Sequence, residues 1–152
     1  MHYIIDAYNL IGKLSTLSLA DNNKEEKLID RFKSLKKNKR DHFLIVFDGK
    51  SKDNPYQSRQ KLDQISVVFT DILESADAFI LRKLKAIKHK SNVTVVTSDN
   101  EIKFNCKKQK IVCLNSESFF RFLSDKTKNP VDNDTVIHNH EIDFWLKRFN
   151  QS

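Results

Sequence analysis

Tyr3-Ile4-Ile5-Asp6 is an apolar run closed by an acid, and the pattern recurs where Asp48 closes Phe43 to Phe47 and Asp99 closes Val93 to Ser98. Short, nearly continuous apolar runs mark strands buried on both faces, as in a parallel sheet covered by helices. Sites in open α/β sheets form outside the carboxyl ends of the strands, which is where these acids fall. A further acid, Asp77, lies in the first turn of a helix expected over 75–89, on the face that carries Ile80, Leu81, Leu84 and Ile87. A carboxylate heading a buried stripe needs a polar neighbour, and the start of this helix belongs to the same edge of the sheet. Gathered carboxylates repel one another unless a cation neutralises them. Asp6, Asp48, Asp77 and Asp99 therefore read as a site for one or two Mg²⁺ or Mn²⁺ ions. Glu74, on a nearby azimuth, is a possible extra acid.

Each acid also has a plainer use. Asp accepts turn hydrogen bonds after strands, acids are favoured at helix N-termini, and Asp99 can cap the helix that follows it. Joint placement carries the reading. Asn9 and Ser98 fall in the same neighbourhood and suit the orienting of a carboxylate or a phosphate.

Outward from these runs, strands are expected over 3–10, 42–48, 65–70, 93–98 and 110–114. Helices are expected over 24–38, 75–89, 100–108 and 116–123, the last capped by Ser116. Leu28, Ile29, Phe32 and Leu35 give the first helix its apolar face. Residues 50–63 read as a long loop, and such loops in compact domains are usually functional. Strands alternating with helices imply an α/β fold with a parallel sheet and right-handed crossovers. Lys126 to Asp134 reads as a polar linker. Residues 140–149 read as an amphipathic helix, with Ile142, Trp145, Leu146 and Phe149 packing on the same domain.

The 152 residues are enough for one domain with a real core. A hydrophobic share of 39% with 11 Phe supports a globular chain rather than a disordered one. The net charge of +7 suits a polyanionic partner, nucleic acid foremost, although abundant Lys also serves solubility. Lys50, Lys52, Arg59 and Lys61 belong to the loop leaving Asp48 and are placed to meet substrate phosphates. Tyr8 and Tyr56 offer ring faces on which bases stack, and Tyr8 suits core packing equally.

The chain shows no leader pattern and no apolar run long enough to span a bilayer. Cys106 and Cys113 lack CxxC spacing and read as reduced thiols, so a cytoplasmic location without membrane contact is expected. Gly12 and Gly49 are the only two glycines, which excludes a Gly-rich phosphate cradle. His138-Asn139-His140 spells HNH without the ββα unit that such a nuclease needs. A phosphatase of the haloacid dehalogenase type needs a second Asp two residues after the first, where Tyr8 stands.

Asp6-Ala7-Tyr8-Asn9-Leu10-Ile11-Gly12 resembles the opening motif of the YacP-like branch of NYN domains, part of the PIN-like nuclease group. Val46-Phe47-Asp48, Val68-Phe69-Thr70, Glu74-Ser75-Ala76-Asp77 and Val95-Val96-Thr97-Ser98-Asp99 follow in matching order, and the resemblance covers about residues 3–123. It implies a three-layer Rossmannoid fold over 1–125, with helices on both faces of a parallel sheet of about five strands in the order 3-2-1-4-5. It further implies a metal-dependent endoribonuclease of single-stranded RNA, with Asp6, Asp48, Asp77 and Asp99 as the acidic site and Asn9 and Ser98 in support. Ala78 stands where the family commonly has Glu, Lys103 where Gln is frequent, and the Gly-Ala before the fifth strand is missing. The alternative is a catalytically silent RNA-binding module docking on a ribonucleoprotein such as the ribosome.

Overall fold

Side chains alternate between the faces of a strand, so the buried strands decide which helix packs where. The computed structural model describes residues 1–14, 16–34, 39–49, 58–119 and 121. The chain runs β1 (His2–Asp6), α1 (Ala7–Gly12), α2 (Lys24–Ser34), β2 (His42–Phe47), β3 (Ser58–Leu62), β4 (Ile65–Phe69), α3 (Ala76–Ala86), β5 (Val93–Val96), α4 (Asn100–Lys108) and β6 (Val112–Leu114), with a 3-10 turn at Lys90–Asn92. Residues 116–119 then open a further helical turn. No helix among the described residues is long and apolar enough to cross a membrane.

The strands form one six-stranded sheet in the order β3-β4-β2-β1-β5-β6. All neighbours pair in parallel except β3 and β4. Without β3, this is the expected order 3-2-1-4-5. Tyr3, Ile5, Phe43, Ile45, Phe47 and Val67 face one core, with Leu10, Leu28, Phe32 and Phe119 from the helices covering that face. Ile4, Val46, Val68 and Val95 face the other, against Phe79, Ile80, Leu84, Ile102 and Cys106 of α3 and α4. Three layers result. In the first core the rings of Tyr3 and Phe43 stack at 5.0 Å, and Phe32 meets Phe43 at 5.4 Å, which ties α2 to the centre of the sheet.

Two expectations are corrected. The first strand ends at Asp6, not at residue 10. Ala7, Leu10 and Ile11, spaced three and four apart, are buried on one side of α1, so the apolar run continues with a helical period. The stretch 50–63 is not all loop, because Ser58–Leu62 pairs antiparallel with β4 through the two-residue turn Asp63-Gln64. Asp63 takes a positive φ of 53°, a conformation that Asp tolerates. This edge strand reads Ser-Arg-Gln-Lys-Leu and lacks the apolar run of the buried strands. Lys50, Lys52 and Tyr56, the linker, His138 to His140 and the helix over 140–149 lie outside the described residues.

Candidate active site

Parallel pairing aligns the ends of β1, β2 and β5, as in the register Asp6↔Val46 and Ile5↔Val96. Asp6, Asp48 and Asp99 leave these strands at one edge. Ser75 caps α3 by accepting the Ala78 N–H at 3.1 Å, and Asp77 lies in the first turn that this cap starts.

Asp6 is the most deeply placed of the four acids, at 6% exposure. Its Oδ2 accepts a hydrogen bond from the Thr97 hydroxyl at 2.9 Å. Thr97 Oγ1 in turn accepts the Asp99 N–H at 3.0 Å, and Asp99 Oδ1 accepts the Ile102 N–H at 3.1 Å. Asp99 thus caps α4 with one oxygen. A continuous chain of hydrogen bonds links the start of α4 to the Asp6 carboxylate.

Burial pushes the Asp6 carboxyl up to about 6; the Thr97 hydrogen bond opposes the rise, and Asp77 and Asp99 add to it. Burial also raises Asp77 above the ordinary carboxylate range, followed by the charges of Asp99, Glu101 and Asp48. The four predicted aspartates therefore share one electrostatic neighbourhood, with Glu101 at its margin. Glu101 was missed because it follows Asp99 inside a polar helix start. Thr97 was missed because a buried Thr in a strand reads as packing.

The remaining predicted residues divide differently. Asn9 Oδ1 accepts from the Ser98 N–H at 2.9 Å and from the Ser116 hydroxyl at 2.7 Å. Ser98 Oγ donates to Glu117 at 3.3 Å and accepts the Ser116 N–H at 3.2 Å. These residues tie α1, the end of β5 and the helix start at 116 together. Ser116, expected as a cap, lies inside that helical turn, and its hydroxyl serves Asn9.

Glu74, expected as an extra acid, is instead gripped by Arg82 through two bonds of 2.9 Å. Tyr8, read equally as a stacking platform or as core packing, sets its ring edge-on to Phe47 at 5.3 Å and donates its hydroxyl to Glu25 at 2.8 Å, which is the packing role. Arg59 and Lys61 lie on β3 rather than in a loop. Arg59 lines a cavity at the opposite edge of the sheet, not the acidic cluster.

The donor set fits a hard cation, since it consists of carboxylates whose mutual field opposes ionisation of Asp6 and Asp77. Among the described residues, no group of three or more His, Cys, Asp or Glu is gathered so as to hold a metal ion directly. Mg²⁺ commonly keeps several waters and takes one or two carboxylates plus substrate phosphates. The spread-out acids suit that mode better than a closed cage.

The raised Asp6 value sets a pH dependence for the cation-free protein. The fold holds this proton more tightly than the unfolded chain does. Its contribution is fully present below the unfolded value near 4 and is lost as pH rises through about 6. The loss amounts to roughly 3 kcal/mol at most. Urea unfolding in chelator from pH 4 to 7.5 should show wild-type stability falling relative to Asp6→Asn across this window. A difference that stays constant with pH would contradict the assignment.

A family model described as the YacP-like NYN domain matches residues 3–148. A crystal structure of Rae1 (YacP) from Bacillus subtilis is similar at a TM-score of 0.64 and 20% identity, covering 97% of this chain and 83% of that one. A mutant of the same protein is similar at 0.64 and 22%, covering 82% and 76%. At these identities the likeness speaks for the fold. No curated protein matches the sequence.

Proposed function

Since this chain belongs to the YacP-like NYN domain family, a group with a PIN-like nuclease fold, we propose that it is a metal-dependent endoribonuclease cleaving single-stranded RNA in the cytoplasm. The observation that carries this reading is the shared field of Asp6, Asp48, Asp77 and Asp99 at the carboxyl edge of the sheet.

In this reading Asp6, Asp48, Asp77 and Asp99 would hold one or two Mg²⁺ or Mn²⁺ ions, in part through water. Such an ion, when bound, supplies Lewis-acid activation of water and of the scissile phosphate. Thr97 keeps the Asp6 carboxylate oriented, and the start of α4 holds Asp99. Asn9 and Ser98 fix the loop end that carries Asp99 rather than reaching the substrate themselves. The positive charge of the chain grips the RNA backbone, so affinity falls steeply with salt. A ribonucleoprotein or the ribosome is a partner that would present such RNA.

The test is cleavage of an unstructured RNA by the pure protein. Cleavage is expected with Mn²⁺ or Mg²⁺ and should stop with chelator. Salt-sensitive binding without cleavage under any divalent ion would overturn the nuclease reading in favour of an RNA-binding module. Cleavage that persists in chelator would overturn the metal mechanism.

A further inference from the structure

At the edge of the sheet opposite the acids, the starts of β1, β2 and β5 and the end of α3 enclose a cavity of about 400 Å³. That volume is within the range of small-ligand sites. Ile4, Leu44, Ile87 and Val93 give it an apolar lining. Arg59, Lys83 and Lys88 add positive charge, and among the described residues no carboxylate lines it. His2, His42 and His89 also line it, and the rings of His2 and His42 stack at 5.0 Å.

The cations here are crowded. Burial lowers Lys83, and the charges of Arg59 and Arg82 lower it further. Burial also lowers His2, assisted by His42 and by the amino terminus. That amino terminus lies 3.7 Å from Asp41, which is not part of the lining. Among the described residues, neither Arg59 nor Lys83 forms an ion pair. Lysines near the end of α3 are favoured by the helix dipole, which accounts for Lys83 and Lys88. The dipole does not account for Arg59, which comes from the edge strand, or for the two histidines that open β1 and β2.

We propose that this cavity binds a phosphorylated nucleoside, with the phosphate at Arg59 and Lys83 and the base against the apolar lining and the paired imidazoles. The apolar part suits a base, since imidazole is among the rings on which bases stack. An anion relieves the repulsion that the cations impose on one another. The same chemistry is offered by a free nucleotide and by the 5′-phosphorylated end of an RNA. The site lies across the sheet from the acidic cluster, so it stands or falls separately from the nuclease reading.

The test is calorimetric titration of the whole protein in chelator. The probes are inorganic phosphate, a nucleoside, the nucleoside 5′-monophosphates, and a short RNA with and without its 5′-phosphate. A monophosphate should bind about tenfold or more tighter than either phosphate or nucleoside alone, and Arg59→Gln with Lys83→Gln should cost about tenfold or more. Asp6→Asn should leave the monophosphate affinity unchanged. The imidazole signals of His2, His42 and His89 should shift on binding.

Tighter binding of the phosphorylated RNA than of the monophosphate, with the same dependence on Arg59 and Lys83, assigns the site to an RNA end. Equal or weaker binding assigns it to a free nucleotide. Arg59→Gln alone, at an exposed position, serves if the double variant fails to fold, and it too must weaken binding. No binding of either source, or binding untouched by these substitutions, overturns the proposal.

Discussion

Replacing Asp6 by Asn is expected to yield a protein that no longer cuts RNA yet melts higher than the wild type in chelator at pH 7.5. The two effects share one cause. Asp6 is the deepest acid of the cluster, and its ionised form is opposed by burial and by Asp77 and Asp99. Asn keeps an oxygen that can accept the Thr97 hydroxyl and removes the buried charge.

The gain should be about 1–3 kcal/mol, or roughly 2–12 °C in melting temperature. It should shrink as pH falls towards 4 and vanish below that, where Asp6 is protonated in both states. Cleavage should fall by at least about 100-fold, since loss of even an outer-shell partner of a metal ligand costs 10–100-fold. Divalent ions should raise the melting temperature of the wild type more than that of the variant. A variant that melts lower than wild type at pH 7.5, or that cuts RNA normally, would sink this account of Asp6.

The second large effect is expected at Gly49. A Cβ there would sit 1.8 Å from the carbonyl oxygen of Thr70 and 2.9 Å from its carbonyl carbon. These are backbone atoms at the end of β4 and cannot swing aside. The Gly49 N–H donates to Thr70 Oγ1 at 3.0 Å, and the Thr70 N–H donates to the Phe47 carbonyl at 3.0 Å. The ends of β2 and β4 are closed together here, next to Asp48.

Gly49→Ala must pry this joint open, at a cost of about 3 kcal/mol or more, which lowers the melting temperature by roughly 6–12 °C. Cleavage should fall as well, because the displaced residue adjoins Asp48. Gly12→Ala is the control. A Cβ at Gly12 meets only Leu19 Cδ1 at 3.5 Å, an ordinary contact. Thermal melts of the two variants decide the matter, and equal melting temperatures would refute the argument.

The parallel strands were legible because burial on both faces writes a continuous apolar run. Val93 to Val96 is buried at every position, so no other reading competes. The acids were legible only jointly, since each has a structural use of its own, as Asp99 does in capping α4, and it is their fall at one edge of the sheet that singles them out. The first helix was obscured because Ala7, Tyr8, Leu10 and Ile11 continue the apolar run of β1, and only their spacing separates them from it.

Among the described residues edge strand β3 has one neighbouring strand, so Arg59 and Lys61 remain exposed and no apolar alternation marks it. Its turn, Asp63-Gln64, lacks the Gly that marks a tight hairpin. Asn9 and Ser98 were placed near the acids from the sequence and Thr97 was not, while the bonds they make span residues 6, 9, 97, 98, 99 and 116. Contacts between such distant parts of the chain leave no local signal.

The polar edge strand also governs how copies of the protein meet. A sheet that ends on an open strand offers backbone donors and acceptors to any other strand, and that is a route to aggregation. Two different devices close this route. On one side, β3 carries the exposed cations Arg59 and Lys61, which repel a like-charged copy approaching edge to edge. On the other, β6 is three residues long, too short to template an extended partner. Among the described residues the buried centre of the sheet can therefore be as apolar as its packing requires while both margins discourage self-association.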